Sequence, residues 1–560
     1  MQRHAWIGVH SGALGAGVGV ILAIYLAFSQ RVFRFFRQFI VECGKIAVVM
    51  TRTFFDASVT ERSLIVLLFA GVIVYRLYFF FAFPLHTDEL CSYLYFAKQG
   101  FFMTITNYVL PNNHVLYNVA CSFLSAVGVF SPKAVMRLPS MAGDLLMLYG
   151  IFCFIRQRAP LSRALGVIAG VAFCYLPSFY AVQGRGYQWQ ECCVIVNCVA
   201  CWSCYFRSNG GARKGYALFA LSGVAGLYLN PLFCYHFLAI LFLGTGFLAW
   251  KRDFAGMRSF LGCYGLITGG VFVLYLPILL CNGLQALTAN TWLTGESSVG
   301  RLLADYSSVA FSLKYLSYYG EPGMYLLLGG AALSFALYCK RVIRGEFYDD
   351  ALLYFVAITV SIAILTLFKK AYPPERSLCF WILSLNLVFV NICYDLASKF
   401  LGNKWPAFLT IFLVLKIAGS VRGLYWERFA VAEQPYVKIY YGLQKDFRAL
   451  SAYRPATWLI TDSDDFYSMY LRLYLLDKAS GRADGGEEAS NVVFGRKGAS
   501  GDVLFLPDCY LPYFSLGEYR LWAEHRISAK CNGNETLSVY ISKRLVSVSG
   551  EKPLRGVSDF

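Results

Sequence analysis

The sequence predicts a polytopic α-helical membrane protein with about 12–13 transmembrane helices and a small C-terminal α/β soluble domain. Three observations support this fold class. Apolar residues make up 58% of the 560 residues and only 15% are charged, whereas soluble domains carry about 25% charged residues. Many apolar stretches approach or reach the ~20 residues that a helix needs to cross a bilayer. Beyond about residue 425, these stretches give way to short apolar segments typical of strands.

The apolar runs predict a series of helices whose boundaries carry an error of several residues. Their ranges are 6–28, 62–83, 113–130, 138–155, 162–182, 188–206, 216–230, 231–250, 260–281, 321–341, 350–368, 376–395 and 405–424. The run 6–28 is followed by a basic segment and not by a small-residue cleavage site, which predicts a retained helix. The run 113–130 breaks the alternation of sides if it crosses fully, so it either spans, lies partly in the interface or belongs to a hairpin.

The connections between these runs differ in charge. Five are basic, "RVFRFFRQ", "RQRAPLSR", "RSNGGARKGY", "KRDFAGMR" and "KRVIRGEF", and the positive-inside rule places them in the cytoplasm. They hold much of the net charge of +17. Because no soluble segment joins a basic patch to stacking aromatic residues, this charge does not indicate nucleic-acid binding. The remaining loops share the opposite side by alternation; they are 84–112, 183–189, 228–231, 282–320 and 369–377.

The sequence therefore divides into three predicted parts. Residues 1–60 form an N-terminal helix with a basic cytoplasmic segment, residues 61–424 a transmembrane domain, and residues 425–560 a soluble α/β domain outside the cytoplasm. In the last part, "TWLITDSDD", "DVLFLPD" and "ETLSVYISK" predict strands, and "DFYSMYLRLYLLDKASG" predicts a helix. The span "ASGRADGGEEAS" is typical of a flexible loop.

Most of the unusual polar residues fall in or beside the loops of the non-cytoplasmic side. They are His86, Asp88, Glu89, His114, Arg137, Arg185, Tyr187, His236, Lys369, Lys370 and Arg376. Carboxylates, imidazoles and cations at one membrane depth predict a site for an anionic, phosphate-bearing substrate. Arginine suits phosphate because its planar guanidinium binds two oxygens at once, while lysine acts as a point charge.

Four short segments also carry a resemblance. An apolar helix followed by "HTDEL", then "PNNHVLYN", then "RLPS" opening the next helix, then "GRGY", resembles the GT-C glycosyltransferases, nearest to the protein O-mannosyltransferase, ArnT and RgtA/B/C/D-like group. The resemblance covers roughly residues 60–400. It is specific at "TDE" with "RLPS", weaker at "GRGY" and "PPERS", and absent from the first 60 residues and from 425–560. It implies a GT-C-like fold that takes sugar from a polyprenyl-phosphate carrier.

Glycosyl transfer needs a base for the acceptor hydroxyl and positive groups for the leaving phosphate. By this resemblance Asp88 is the expected base, and Glu89 either holds the loop or helps Asp88 to bind a divalent cation, Mg²⁺ or Mn²⁺. Arg137, Arg185 and Arg376 are expected at the carrier phosphate, with Lys369 and Lys370 behind them.

The remaining candidates have less specific roles. Tyr187 would stack on the sugar or hydrogen-bond to it. His86, His114 and His236 would orient the acids, bind sugar hydroxyls or contact a metal.

Each assignment has a structural alternative. Asp88 and Glu89 suit a helix N-terminus, Arg137 and Arg185 suit interfacial anchors, and a histidine near a helix end is often structural. Two further ionisable residues, Arg76 and Asp144, fall within predicted helices, where such groups are costly and usually paired. They are expected to pair with each other as a structural bridge; the alternative is that Asp144, seven residues after Arg137 on the same helix face, helps to position that arginine.

The predicted function is transfer of a sugar from a polyprenyl-phosphate carrier to a glycan, lipid or protein acceptor. The alternatives are a transporter or flippase and a non-catalytic GT-C-like scaffold. Transporters gather charges near the membrane midplane, whereas here the polar residues gather at one face. We expect membrane lipid as a further partner and no nucleic acid. The chain ends without a retention signal, which favours a bacterial inner membrane with the site facing the periplasm; the endoplasmic reticulum is the alternative.

Overall fold

The structure is a computed structural model, and the chain divides into two compact units. One unit comprises Met1–Phe81 and Tyr95–Tyr425, the other Ala82–Leu94 and Trp426–Phe560. Apart from a few single positions, the residues that the structure describes are 2–108, 113–206, 216–284, 350–370, 379–400, 417–426, 458–461, 492–495, 503–507, 519–529 and 533–542.

The part of the chain before residue 425 is helical wherever it forms regular structure. Its α-helices are α1 Gln2–Phe55, α2 Val59–Ala82, α3 Thr87–Tyr95, α4 Phe101–Thr106, α5 Val115–Val127, α6 Pro132–Arg156, α7 Leu161–Ala172, α8 Tyr175–Ala181, α9 Tyr187–Cys201, α10 Tyr216–Leu229, α11 Cys234–Trp250, α12 Phe254–Asn282, α13 Asp350–Lys369 and α14 Cys379–Phe400. Short 3₁₀ turns cover Ala97–Gln99 and Pro231–Phe233, and a π-helical segment covers Trp202–Phe206.

Five helical segments in the described residues are long and apolar enough to cross a membrane. They are Val59–Ala82, Pro132–Arg156, Pro231–Trp250, Phe254–Asn282 and Leu352–Lys369. Each exceeds or approaches the ~20 residues that span the ~30 Å hydrocarbon core of a bilayer. The prediction of an α-helical membrane protein is confirmed at this level.

The N-terminal region differs from its prediction. The expected helix 6–28 and the basic segment after it form one helix of 54 residues, Gln2–Phe55. The sequence from Val20 to Cys43 contains neither glycine nor proline, and arginine is a good helix former, so the basic residues give the helix no reason to end. At 1.5 Å per residue it is about 80 Å long, more than twice the hydrocarbon thickness of a bilayer.

Local sequence signals explain where several spans begin. Ser58 and Glu61 form a capping box at the start of α2: the Ser58 N–H donates to Glu61 Oε2 (3.0 Å) and the Glu61 N–H donates to Ser58 Oγ (3.2 Å). Ser131 caps α6 ahead of a proline at the first helical position. Asp253 caps α12 by accepting from the Gly256 N–H at 2.7 Å.

The run 113–130 forms only the 13-residue helix α5. A helix of that length is about 20 Å long, too short to cross the ~30 Å hydrocarbon core. Of the alternatives left open by the sequence, full spanning of 113–130 is therefore wrong.

The run 162–182 also differs from its prediction, since it forms two helices, α7 and α8, with a break at Phe173 and Cys174. Pro177 explains the break. Its ring clashes with the carbonyl four residues earlier, on Phe173, and it has no N–H to donate there. The run 188–206 begins as α9 but continues as the π-helical segment Trp202–Phe206.

Apolar side chains of several helices form the core of the first unit. One cluster joins α2, α6, α7 and α14 around Val72, Leu148, Phe152 and Ile168, which are nearly or fully buried. A second cluster joins the end of α9 to α10, α11 and α12 around Phe219 and Phe260. These clusters pack the second half of α6 and the end of α9, whereas the polar residues of interest lie near the starts of these two helices.

The second unit contains a five-stranded mixed sheet. Its strands are β1 Trp458–Thr461, β2 Val492–Gly495, β3 Val503–Pro507, β4 Tyr519–Ala529 and β5 Gly533–Ser542. They are ordered β2-β1-β3-β5-β4. Strands β1, β2 and β3 pair in parallel, while β5 pairs antiparallel with both β3 and β4. The three predicted strands correspond to β1, β3 and β5, whereas β2 and the charge-rich β4 were not predicted.

Several predictions lie outside the described residues. They are most of the helix 321–341, the first residues of the helix 405–424 (405–410), most of loop 282–320, most of loop 369–377 with Arg376, the helix of "DFYSMYLRLYLLDKASG" and the loop "ASGRADGGEEAS".

Candidate functional site

The acidic motif lies in the first turn of α3, shortly after the span α2. His86 is the residue before α3, and its ring Nδ1 accepts a hydrogen bond from the Asp88 N–H at 3.2 Å. The Glu89 carboxylate reaches back and accepts from the His86 N–H at 2.8 Å. This reciprocal arrangement is a capping box in which a histidine replaces the usual serine or threonine. His86, rather than Asp88, therefore caps this helix.

The two adjacent acids consequently differ in setting. Glu89 is fully buried and caps the helix, whereas Asp88 is half-buried and uses its backbone N–H, not its carboxylate, in the cap. Both carboxylates lie in the first turn of the helix. The geometry gives Glu89 a structural contact in the helix cap, and the expected role of Asp88 as the base stays a prediction.

The segments "RLPS" and "GRGY" meet at Ser140, which lies in α6. Its hydroxyl donates to the Arg185 carbonyl at 2.6 Å and accepts from the Arg185 N–H at 3.1 Å. The same hydroxyl lies 3.2 Å from the Tyr117 hydroxyl in α5, and Tyr117 donates to the Met136 carbonyl. Three segments far apart in sequence, "PNNHVLYN", "RLPS" and "GRGY", are therefore joined around one buried serine.

Glycine at 184 permits this contact. A Cβ atom at Gly184 would lie 2.4 Å from the Met136 Cβ, a distance that packed atoms do not tolerate. A Cβ at Gly186 would lie 3.0 Å from His114 Nδ1 and 3.1 Å from the Tyr117 Cβ. The loop before α9 thus approaches α5 and α6 more closely than a residue with a side chain allows.

Three of the predicted site residues form a cluster beside this junction. The His114 ring lies edge-on to the Tyr187 ring, with centroids 4.9 Å apart. The Arg185 guanidinium carbon lies 5.7 Å from the Tyr187 ring centroid, within the range of a cation–π contact. All three side chains are nearly fully buried. The structure therefore brings His114, Arg185 and Tyr187 together.

Tyr108 lies in an apolar cluster that also contains Val115, at the start of α5. Burial raises the pKa of Tyr108 to about 12, so its hydroxyl stays protonated at neutral pH and is not a candidate base.

Arg137 lies in the same helix as Ser140 but points to α2. Its Nη1 donates to the Phe80 carbonyl at 2.6 Å, in the last turn of α2, and its side chain is fully buried. A cation at the last carbonyls of a helix stabilises that helix end. Lys133 does the same one turn earlier in α6, donating to the Phe81 carbonyl at 3.1 Å. The expected contact of Arg137 with a phosphate stays a prediction.

The predicted pairing of Arg76 with Asp144 is confirmed. Arg76 Nε donates to Asp144 Oδ2 at 2.9 Å with both side chains fully buried, and Arg76 Nη2 donates to the Ala172 carbonyl at 2.7 Å. Together with Arg137 and Lys133, this pair ties α2 to α6 along their antiparallel length. Glu191 in α9 is also fully buried, and neither of its carboxyl oxygens has a hydrogen-bond partner among the residues that the structure describes.

His236 lies in the first turn of α11 and is fully buried. One ring nitrogen lies 2.9 Å from Asn197 Oδ1 in α9, and the other lies 2.7 Å from the Tyr354 hydroxyl in α13. Both nitrogens therefore have protein partners from neighbouring helices. The expected role of His236 in substrate binding stays a prediction, beside this structural role.

The last candidates are cationic. Lys369 ends α13, Lys370 follows it with a positive φ of 52°, and both are exposed. Arg376 lies outside the described residues. Within the described ranges, no group of three or more His, Cys, Asp or Glu side chains is arranged to hold a metal ion. The expected Mg²⁺ or Mn²⁺ at Asp88 and Glu89 stays a prediction.

Sequence reasoning missed the residues that join the motifs. Ser140 was noticed only as the last letter of "RLPS", and Tyr117 only as part of "PNNHVLYN". Trp189 also joins these segments, because its Nε1 donates to the Pro139 carbonyl at 2.8 Å. The sequence signal for these residues was their position inside or beside the quoted motifs. Their hydrogen-bond partners could not be predicted, because they come from segments far apart in the chain.

The sequence matches no known protein-family profile, and no curated protein matches it.

Proposed function

We propose that the chain is an integral membrane glycosyltransferase that moves a sugar from a polyprenyl-phosphate carrier to an acceptor hydroxyl on a glycan, a lipid or a protein. The proposal starts from the motif resemblance in the sequence. We further propose that the site opens on the side of the membrane opposite the basic connections, the periplasmic side of a bacterial inner membrane.

One observation carries the proposal. Of the four segments that carry the resemblance, three meet at Ser140 and place His114, Arg185 and Tyr187 in a single cluster. Segments used only as turns or helix starts have no reason to converge in this way. Convergence of chemically useful side chains from distant parts of a chain is typical of a functional site.

The division of labour between the acids supports a single base. The acceptor oxygen attacks the anomeric carbon, and Asp88 takes the proton that this oxygen loses. The bond between the anomeric carbon and the phosphate oxygen breaks, and its electron pair leaves with the phosphate. One displacement of this kind inverts the configuration at the anomeric carbon. Glu89 serves the reaction indirectly, because it caps the helix that presents Asp88.

Cations stabilise the charge that develops on the leaving phosphate. Arg185, beside Tyr187 and away from bulk water, acts in surroundings of low dielectric constant, where its field is strong. Arg137 adds a second buried charge on α6. Tyr187 offers an aromatic face for the sugar. The exposed Lys369 and Lys370 are placed to attract an anionic headgroup before it reaches the site.

The second unit has a proposed place in this scheme. The acidic segment Ala82–Leu94 belongs to the same compact unit as Trp426–Phe560. We propose that residues 425–560 recognise the acceptor.

The test is sugar transfer by the purified full-length protein from a panel of polyprenyl-phosphate sugars, with Asp88→Asn and Glu89→Gln as paired variants. Asp88→Asn should lose about 10²- to 10⁴-fold in rate, the usual contribution of a general base, while carrier binding is kept. Glu89→Gln keeps an oxygen for the cap and should retain most activity. NMR of the product should show inverted anomeric configuration.

Two results would contradict this assignment. Full activity of Asp88→Asn with an inactive Glu89→Gln would move the base to Glu89. Absence of transfer from every carrier that the wild-type protein binds would remove the enzymatic proposal.

A second candidate function is transport of a lipid-linked sugar. It draws on Arg76, Asp144 and Glu191, which are fully buried within the helices, since transporters carry ionisable groups inside the membrane. Movement of a fluorescent polyprenyl-phosphate sugar across proteoliposomes tests it. Movement that stops in Glu191→Gln, with no sugar transfer by the wild type, would favour transport over transfer.

A further inference from the structure

The second half of α1 packs on the rest of the unit along one face. Side chains at Phe35, Phe39, Ile46, Met50 and Phe54 follow each other at helical spacing and are all half-buried. The first three pack against the cluster around Phe219 and Phe260, and the last two against the cluster around Leu148 and Phe152. This stripe fixes which face of the helix looks inward.

The stripe contacts the start of α10 and the second half of α6 in turn. The Phe35 ring lies 6.0 Å from the ring of Tyr216, the first residue of α10. Further along, the Met50 carbonyl accepts from the Tyr149 hydroxyl in the last two turns of α6 at 2.9 Å. The start of α10 and the end of α6 both adjoin basic connections. Over about 20 residues, or ~30 Å along its axis, α1 passes across the side of the helix bundle where these basic connections lie.

The outward side of the same segment has two different flanks. At 3.6 residues per turn, Phe33, Phe36 and Ile40 fall on one side of the packed stripe, and their side chains are 70%, 49% and 68% exposed. The other flank carries four exposed cations, Arg34, Arg37, Lys45 and Arg52, with the exposed apolar residues Val41, Val48 and Phe55 between them.

The charge of this segment is one-sided. Residues 31–55 contain five Lys or Arg residues and a single acid, Glu42. Glu42 is buried against α10, so it does not offset the cations at the surface.

We propose that residues 31–55 form an in-plane helix that binds the anionic lipid headgroups of the leaflet on the side of the basic connections. The exposed Phe36 and Ile40 enter the boundary between headgroups and acyl chains. Arg34, Arg37, Lys45 and Arg52 bind the phosphates of anionic lipids. An apolar flank beside a cationic flank is the pattern of helices that lie on membrane surfaces, and here the rest of the protein holds the helix in that plane. This inference is independent of the proposed enzymatic function.

The first test measures binding of phosphatidylglycerol to the full-length protein in mixed micelles, by native mass spectrometry. The variant Arg34→Gln/Arg37→Gln should bind phosphatidylglycerol about 30-fold more weakly, given the usual contribution of one basic residue near an anionic surface. The matched control is Arg252→Gln/Arg258→Gln, which removes two exposed cations from another basic connection and should keep nearly full binding. Water-soluble glycerol phosphate should not compete, because it lacks the acyl chains that the apolar flank holds.

Equal losses in the two double variants would show diffuse attraction by surface charge and would overturn the proposal. Displacement by glycerol phosphate would identify a site for free phosphate and would also overturn it.

A second test leaves the cations in place. A photo-crosslinking p-benzoylphenylalanine is introduced at position 36 or 40 in nanodiscs that contain phosphatidylglycerol. Crosslinks to lipid are expected at both positions. Crosslinks to a second copy of the chain, or no crosslinks to lipid at either position, would contradict insertion of this flank into the membrane.

Discussion

The Glu42 carboxylate in the middle of α1 accepts a hydrogen bond from the backbone N–H of Leu218, 2.8 Å away in the first turn of α10. The first turn of a helix has N–H groups without partners inside that helix and a positive partial charge. A carboxylate supplied by another helix satisfies both. Gln38 completes the arrangement by donating to the other carboxylate oxygen at 2.7 Å. Glu42 thus docks the long N-terminal helix onto the unit.

Loss of this carboxylate should destabilise the protein. Glu42→Ala leaves the buried Leu218 N–H without its charged acceptor, at a cost of about 1.5–3 kcal/mol in the free energy of unfolding. Unfolding by SDS in mixed micelles measures it. Glu61→Gln is the control, because the Glu61–Arg156 pair is about a third exposed and such pairs contribute at most about 1 kcal/mol. Equal stability of the two variants would show that the contact does not anchor α1.

The Arg76–Asp144 pair should behave as a coupled unit. Replacing one partner, as in Arg76→Met or Asp144→Leu, leaves a buried charge uncompensated and should cost about 3–5 kcal/mol. Replacing both should cost much less than the sum, because no charge is then left in the core. A double-mutant cycle in the same unfolding assay measures the coupling, and a cycle on Arg156 and Glu61 is the exposed comparison. Additive losses at Arg76 and Asp144 would contradict the pairing as an energetic unit.

Gly184→Ala should disrupt the junction of the "GRGY" and "RLPS" segments. The added methyl meets the Met136 Cβ at 2.4 Å, and overpacking of this kind costs about 1–3 kcal/mol. Gly150→Ala is the matched control in α6, since nothing lies within 4 Å of its added Cβ. It should be neutral or stabilise the helix by about 0.5–1 kcal/mol. The measurement is the apparent unfolding temperature. If it falls in neither Gly184→Ala nor Gly150→Ala, the loop can move away from α6 at little cost in free energy.

His236→Ala separates the structural role of this histidine from its predicted role in substrate binding. It removes the partner of Asn197 and Tyr354 inside the helices, which should cost about 1–3 kcal/mol for the polar groups left unpaired. Affinity for the polyprenyl-phosphate carrier should stay unchanged in the fraction that remains folded. Weaker carrier binding with unchanged stability would restore the substrate-binding role.

Some features of the site could be predicted from the sequence because they depend on local chemistry. The acidic motif at the end of the first apolar span, the pairing of Arg76 with Asp144 and the choice of arginines as candidates all follow from residue type and position. The assignment of His86 as the helix cap could not be predicted, because Asp88 is the more usual residue for that position. Only the backbone geometry shows that the histidine ring accepts the Asp88 N–H.

The sequence by itself determined that this protein is an α-helical membrane protein with a change of character near residue 425, because apolar length and charge pattern decide what a bilayer accepts. Tertiary structure decided the rest. The course of α1 across the helix ends, the meeting of three motifs at Ser140 and the burial of Arg137 and Arg185 depend on contacts between residues far apart in the chain. Such contacts are set by packing, which leaves no periodic signal in the sequence around each residue.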